Sequence, residues 1–437
     1  MALSQAAAAV EKMIGHTGDA TTEQNLSNPS KDAEKYADPS GEKMKALVWN
    51  GKQSVKVVET FKPAKIEDTD VVVKVTGSTV CGSDLHLYHG VVIELQKGDI
   101  LGHEFCGVVD SVGPKISKVK PGDRVKLSSQ CERTNDNKIE NIMYGGRTAG
   151  FLGYSHFTGG YAGGQAEYVR VAYGDTNLLK LPDDVPDEKG LYLSDVLSTS
   201  WNAVVDTGVK EGDVVAIWGA GPIGQMAAAM SFMNGAKRVI IIDGGQASWR
   251  LDFVKSKLPK VETINFTDLP KGENIVSTLK KMEHGGPDVA IECVAGEYAK
   301  GWAHYFELLL GAETDTSEIV NEMIMSVKSF GRCGITGVYV GYTNHFNIGS
   351  LMERGIRLIG NGQAPVHKYW EDLLKKIQDG SLDVLQMVSH RVLLEELEEV
   401  YKRYDAREKG LQKVFVQTKF SGPPSEGSPQ LTKFGTA

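Results

Sequence analysis

Between residues 44 and 171, apolar and polar positions trade places in short runs: "KALVW", "SVKVVE", "DVVVKVTGS" and "FCGVVDSVG". These are rich in β-branched residues and separated by Gly, Pro and Asp, which predicts strands joined by turns. From 214 to 359 the rhythm changes. "DVVAIWG", "RVIIIDG", "PDVAIECV", "GRCGITGVY" and "GIRLIG" are apolar almost throughout, and helix-like stretches such as "GPIGQMAAAMSFMNGA" lie between them. Strands of that kind are covered on both faces, so this region is expected to be a parallel sheet flanked by helices. After residue 362, "HKYWEDLLKKIQDG" reads as a helix and "LQKVFVQTK" as a final strand. The pattern predicts an α/β protein of two domains, one of them discontinuous. No internal repeat is visible.

The two ends read differently. Residues 1–43 are mostly polar, aromatic-poor and unpatterned, which predicts a disordered arm. The opening "MALSQAAAAV" lacks the basic start of a secretory signal. Residues 421–437 are rich in Pro, Gly and Ser and read as a disordered tail.

Composition narrows the functional classes. A chain of 437 residues, 41% hydrophobic and 24% charged, can bury more than one core. A net charge of -8 argues against nucleic acid or an anionic membrane as partner, because phosphate binding needs concentrated Lys and Arg. No apolar run approaches the ~18 residues of a membrane span. The five cysteines (Cys81, Cys106, Cys131, Cys293 and Cys333) are odd in number and scattered. That is not a disulfide framework, and it points to a reducing, cytoplasmic compartment.

"VVAIWGAGPIGQMAAA" sets Gly219, Gly221 and Gly224 in a G-x-G-x-x-G pattern, with Pro222 and Ile223 inside it. It follows an apolar strand and opens an Ala-rich helix, the context a dinucleotide site requires. The first Gly makes the turn, the second admits the pyrophosphate, and the third lets helix and strand pack closely. The helix N-terminus attracts the phosphates. Asp243 closes the next strand, where a carboxylate would bind the adenosine ribose and repel a 2′-phosphate. Gly244 and Gly245 follow it, with no Arg or Lys among them, so NAD is expected over NADP. Asp243 could instead merely end a strand, and the glycines merely turn.

Cys81 lies in "VTGSTVCGSDLHLYHG", expected at a strand end, and His103 and Glu104 lie in "GDILGHEFCGVV". Thiolate and imidazole are good zinc ligands, although a Cys on a strand is usually core and a lone His is usually structural. These segments, with "PGDRV", "GGQAEYVRV", "SDVLSTSWNA", "GAGPIG" and "LQKVFV", resemble the zinc-containing medium-chain alcohol dehydrogenases from about residue 44 to 420. Asp195, where many members have Cys, and the insert "GWAHYFELLLGAETDTSEIVNEMIMSVKS" resemble the formaldehyde dehydrogenase-like subgroup.

The resemblance implies a GroES-like catalytic domain (44–196 and 361–420) around an inserted Rossmann NAD-binding domain (197–360). It implies Cys81, His103 and Asp195 as ligands of a catalytic zinc, with Glu104 the acid beside the metal. Ser83 and His86 stand at the positions of a proton relay, and Asp84 at that of a partner for the ligating His. Thr199 would sit beside the nicotinamide, and Lys413 resembles a basic residue that reaches the cofactor phosphates. The chemistry implied is hydride transfer between a small alcohol, or aldehyde hydrate, and NAD, in a homodimer or homotetramer. An aldehyde dismutase holding its NAD, or a degenerate non-catalytic NAD-binding protein, are the alternatives.

One feature departs from the family. Members with a structural zinc carry four closely spaced cysteines shortly after "GDRV", whereas "PGDRVKLSSQCERTN" offers one, Cys131. One catalytic zinc per subunit and no structural zinc is therefore expected. His89, His156 and His390 lie in no motif and read as packed or solvated side chains.

Overall fold

The structure is a computed structural model. It describes residues 31–92, 94–128, 130–131, 150–294, 316–337, 339, 343–362 and 364–434. The described residues divide between two compact units, one within 1–192, 390–406 and 414–437, the other within 193–389 and 407–413.

In the first unit, β1 (Lys43–Gly51) and β2 (Ser54–Phe61) form an antiparallel hairpin. The main sheet has seven strands. They are β3 (Val71–Ser78), β4 (Phe105–Val112), β5 (Arg124–Leu127), β8 (Tyr168–Val171), β9 (Leu178–Lys180), β16 (His390–Leu393) and β17 (Val414–Gln417). Their order is β16-β17-β3-β4-β5-β9, with β8 also pairing to β3. The short strands β6 (Gln130–Cys131) and β7 (Gly150–Phe151) pair with each other. The continuous apolar run of β3 has a physical reason. Val71, Val73 and Val75 join one core with Phe105, Val125 and Val169, while Val72 faces a second with Met44, Ala46 and Ile100. Both faces of the strand are thus covered. Helix α1 (Gly82–Tyr88) follows β3, and α9 (Leu397–Asp405) belongs to the returning segment.

The second unit is a six-stranded sheet, all pairs parallel, in the order β12-β11-β10-β13-β14-β15. Its strands are β10 (Val214–Trp218), β11 (Arg238–Asp243), β12 (Glu262–Asn265), β13 (Val289–Glu292), β14 (Arg332–Ile335) and β15 (Arg357–Gly360). Its helices are α2 (Asp195–Asp206), α3 (Pro222–Met233), α4 (Trp249–Lys257), α5 (Ile275–Met282), α6 (Glu318–Ser326), α7 (Ile348–Glu353) and α8 (Val366–Gln378). Every residue of β10 and β13 is buried, which is why these runs read as unbroken apolar sequence. The strand order reverses at β10, the switch point where such sheets bind nucleotides. Among the described residues no helix is long and apolar enough to cross a membrane.

Several expected boundaries move. Residues 193–196, 361–389 and 407–413, assigned to the catalytic domain, belong to the second unit. Their helix α8 packs there, with the Tyr369 hydroxyl donating to Asn202 Oδ1 at 3.0 Å. Residues 31–42, assigned to the arm, are tied to the first unit: Tyr36 is buried, and the Asp38 N–H donates to the Lys62 carbonyl at 2.8 Å. The tail is also anchored as far as 434. Arg391, itself buried, pairs with Glu188 at 2.5 Å and donates to the Gly422 carbonyl, while the Thr432 N–H donates to the Arg391 carbonyl. A Pro- and Gly-rich composition hid these partners because they are backbone groups gripped by a distant side chain. Arg391→Met, which strands Glu188 in the interior, is expected to cost about 3–5 kcal/mol of stability. Thermal unfolding checks this, and an unchanged Tm would count against a structural role for the pair.

Candidate active site

The first unit brings Cys81, His103 and Glu104 together, with potential ligand atoms within 4.8 Å of one another. Cys81 is the residue that caps α1 rather than a strand residue. His103 and Glu104 are both buried and immediately precede β4. Asp84, in the first turn of α1, holds the set in register. One carboxylate oxygen accepts the Cys81 N–H at 2.9 Å and the Gln165 amide at 3.2 Å, while the other lies 3.4 Å from His103 Nδ1. Gln165 is fixed in turn by the Tyr401 hydroxyl at 2.9 Å. A buried acceptor at Nδ1 sets the ring orientation and leaves Nε2 as the ligating nitrogen. A soft thiolate, an imidazole and a carboxylate around one point are a donor set suited to zinc.

Ser83 and His86 sit one helical turn apart on α1 and so share a face. The Ser83 hydroxyl lies 3.4 Å from His103 Nε2. A residue that sequence reasoning missed joins them. Tyr154 packs edge-on to the His103 ring, with centroids 5.9 Å apart, and its phenol lies beside the Ser83 side chain. Burial pushes its phenol up to about 12, so it is protonated at neutral pH. The only sequence signal was an aromatic in the Gly-rich stretch after residue 149. Residues 132–149, which follow Cys131, lie outside the described residues. His89 and His156 pair with Asp405 at 2.7 Å and Asp99 at 3.0 Å, in keeping with packed side chains.

The second unit builds the glycine turn between β10 and α3. Gly219 has φ +103°, a conformation few side chains tolerate, and a Cβ on Gly224 would run into the Gly219 carbonyl oxygen. Pro222 occupies the first turn of α3, where its missing N–H costs nothing. A Cβ on Gly221 would meet nothing nearer than Arg250 Nη1 at 4.0 Å, so backbone can be approached there, as a phosphate requires. The Asp243 carboxylate accepts the Ala220 N–H at 2.8 Å and the Gly244 N–H at 2.7 Å, which fixes its direction. Burial lifts its pKa above the ordinary carboxylate value, against the pull of those donors and of Arg250 and Arg407. The expectation of no nearby cation is therefore corrected. Both arginines stand at Asp243, one from α4 and one from the segment 407–413, too far along the chain for a local motif to reveal.

Asp195 is the first residue of α2, and the Thr199 hydroxyl donates to its carboxylate at 3.0 Å. Lys413 is 2% exposed, and its carbonyl accepts the Ser389 N–H. Its neighbour Gln412 is the residue that donates to the glycine turn, at the Ala220 carbonyl.

Residues 67–183 match the alcohol dehydrogenase GroES-like domain. A zinc-type alcohol dehydrogenase-like protein of Schizosaccharomyces pombe is 35% identical, over 86% of this chain and 92% of that protein. The glutathione-independent formaldehyde dehydrogenase of Pseudomonas aeruginosa is 30% identical over 80% and 89%. The solved structure of the alcohol dehydrogenase of Thermus sp. ATN1 superposes with a TM-score of 0.72 at 30% identity, covering 86% of this chain and all of that one. With its GroES-like and parallel α/β units, this chain belongs to the zinc-dependent medium-chain alcohol dehydrogenases and is an oxidoreductase.

Proposed function

We propose that the enzyme oxidises a small alcohol or aldehyde hydrate with NAD, using a single zinc held by Cys81, His103 and Asp195. The observation that carries this reading is the donor group of Cys81, His103 and Glu104, ordered by Asp84. Zinc bound there would act as a Lewis acid toward the substrate oxygen. The protein groups do the rest. Glu104 supplies negative charge beside the metal, Ser83 takes the substrate proton, and His86 passes it outward. Gly219, Gly221, Pro222, Ile223 and Gly224 receive the pyrophosphate, and Asp243 binds the adenosine ribose. Thr199 steadies Asp195 near the nicotinamide, and Lys413 adds positive charge toward the phosphates.

We place the enzyme in a reducing, cytoplasmic compartment, a reading supported by the free thiols of Cys81, Cys106, Cys293 and Cys333. A homodimer or homotetramer is supported by the exposure of Phe330 (81%) and Met352 (75%) near the edge strand β15. Incubation of zinc-replete protein with NAD or NADP and a panel of alcohols and aldehydes tests the reading. Alcohol-dependent NADH formation is expected. Aldehyde disproportionation without added NAD would show a dismutase, and no turnover on any substrate would favour a binding protein. In the same assay Tyr154→Phe is expected to lower turnover up to about tenfold, the value of one polar contact beside Ser83, with zinc retained. Unchanged turnover would reduce Tyr154 to a packing residue.

A further inference from the structure

One buried amide touches the chain on both sides of Cys81 and just ahead of His103. The Gln165 side chain, fully buried, donates to the Thr79 carbonyl at 3.0 Å and to the Asp84 carboxylate at 3.2 Å. Its Cγ lies 2.6 Å from where a Cβ on Gly102 would stand, so it packs directly on the backbone that leads into His103. At its other end Oε1 accepts the Tyr401 hydroxyl at 2.9 Å. Tyr401, also fully buried, comes from α9, and its ring stands 5.6 Å from that of Tyr88 at the end of α1. All of these residues lie in the first unit.

A side-chain amide carries two donor hydrogens on nitrogen and an acceptor at oxygen. Thr79 and Asp84 take the donors, which turns the oxygen toward Tyr401. A buried network is rigid when every member is satisfied, and a stranded member undoes it. Without the Tyr401 hydroxyl the amide oxygen is left buried and short of a donor, a state the side chain relieves by turning away from Asp84. Asp84 would then hold the Cys81 N–H and face His103 Nδ1 with nothing fixed behind it.

We propose that Tyr401 is a positioning residue for the metal site, locking Gln165 and, through Gln165 and Asp84, setting the grip of Cys81 and His103 on zinc. The inference rests on the metal reading above. It goes further, because it makes zinc affinity depend on a C-terminal helix that supplies no ligand.

Zinc affinity of the full-length apoprotein, measured by competition with a chromophoric chelator, reads this without turnover. Tyr401→Phe is expected to bind zinc about 10- to 100-fold more weakly, the usual effect of losing a partner behind a metal ligand, with a native circular dichroism spectrum. Gln165→Met keeps the length of the side chain without its polar groups. It should lose as much or more, and it carries the test should the phenylalanine variant misfold. The losses should also fail to add: in an Asp84→Ala background, where the chain is already cut, Tyr401→Phe should change zinc affinity little. Asp405→Ala is the control. It breaks the 2.7 Å tie between α9 and His89 without touching Gln165, and should leave zinc affinity unchanged.

Equal zinc affinity in the wild type and a folded Tyr401→Phe protein overturns the inference. So does a loss of the same size with and without Asp84. An equal loss in Asp405→Ala would assign the effect to the docking of α9 as a whole and overturn it too. If the wild type itself takes up no zinc, the metal reading falls, and this inference with it.

Discussion

Purified enzyme is expected to carry close to one zinc per chain, and the Cys81→Ala, His103→Ala double variant none, with turnover falling by about 10⁴-fold or more. Loss of a Lewis acid forfeits several kcal/mol of barrier lowering, and each 1.36 kcal/mol is tenfold in rate. The buried acids give the prediction a second readout. Asp84 and Glu104 are each 1% exposed, and His103 stands between them in sequence and space. Removing a bound cation takes a positive charge from beside those carboxylates, so chelation should lower the Tm as well as the activity. Elemental analysis decides the count. Two zincs per chain, or full occupancy in the double variant, would refute the assignment.

The second large effect is on proton transfer. Ser83→Ala is expected to cut turnover by about 10²–10⁴-fold, the usual contribution of a positioned proton acceptor, with zinc and nucleotide still bound. His86→Ala should do less near neutral pH, since water can replace the outer end of the chain. Its loss should grow as pH falls, because deprotonating the alcohol is then hardest, and added buffer bases should restore part of it. The geometry supports this order. Ser83 lies against His103 and Tyr154, whereas His86 is a turn farther along α1. Turnover close to wild type in a zinc-replete Ser83→Ala protein, at every pH, would falsify the relay.

What the sequence disclosed was whatever short spacing encodes. A G-x-G-x-x-G after an apolar strand has one structural use, and the structure builds it with Gly219 in a left-handed turn and Gly224 against the Gly219 carbonyl. The apolar runs of β10 and β13 were legible because both their faces are covered. Contacts between distant segments were not. Arg407 reaches Asp243, and Tyr401 steadies Gln165 behind Asp84, from segments that share no motif with either. The boundary at 361 failed for a related reason. The amphipathic pattern of α8 states that it packs but not on which unit, and its Tyr369 chose Asn202.

The way β16 and β17 complete the first unit's sheet bears on how the chain acquires its structure. Residues 193–389 form a nearly contiguous unit rich in local strand–helix contacts, and such units fold early, during synthesis. The sheet that orders Cys81 and His103 cannot close then, because β17 lies between β16 and β3, and β3 precedes it by more than three hundred residues. Until the ribosome has released that strand, the Ser78 end of β3 lacks its neighbour, although Val71–Lys74 are already paired with β8. Newly made enzyme should therefore pass through a metal-incompetent state in which the second unit is native. Its hazard is aggregation at the unfinished end of that sheet, so yield should depend on chaperone supply more than on the final stability of the fold.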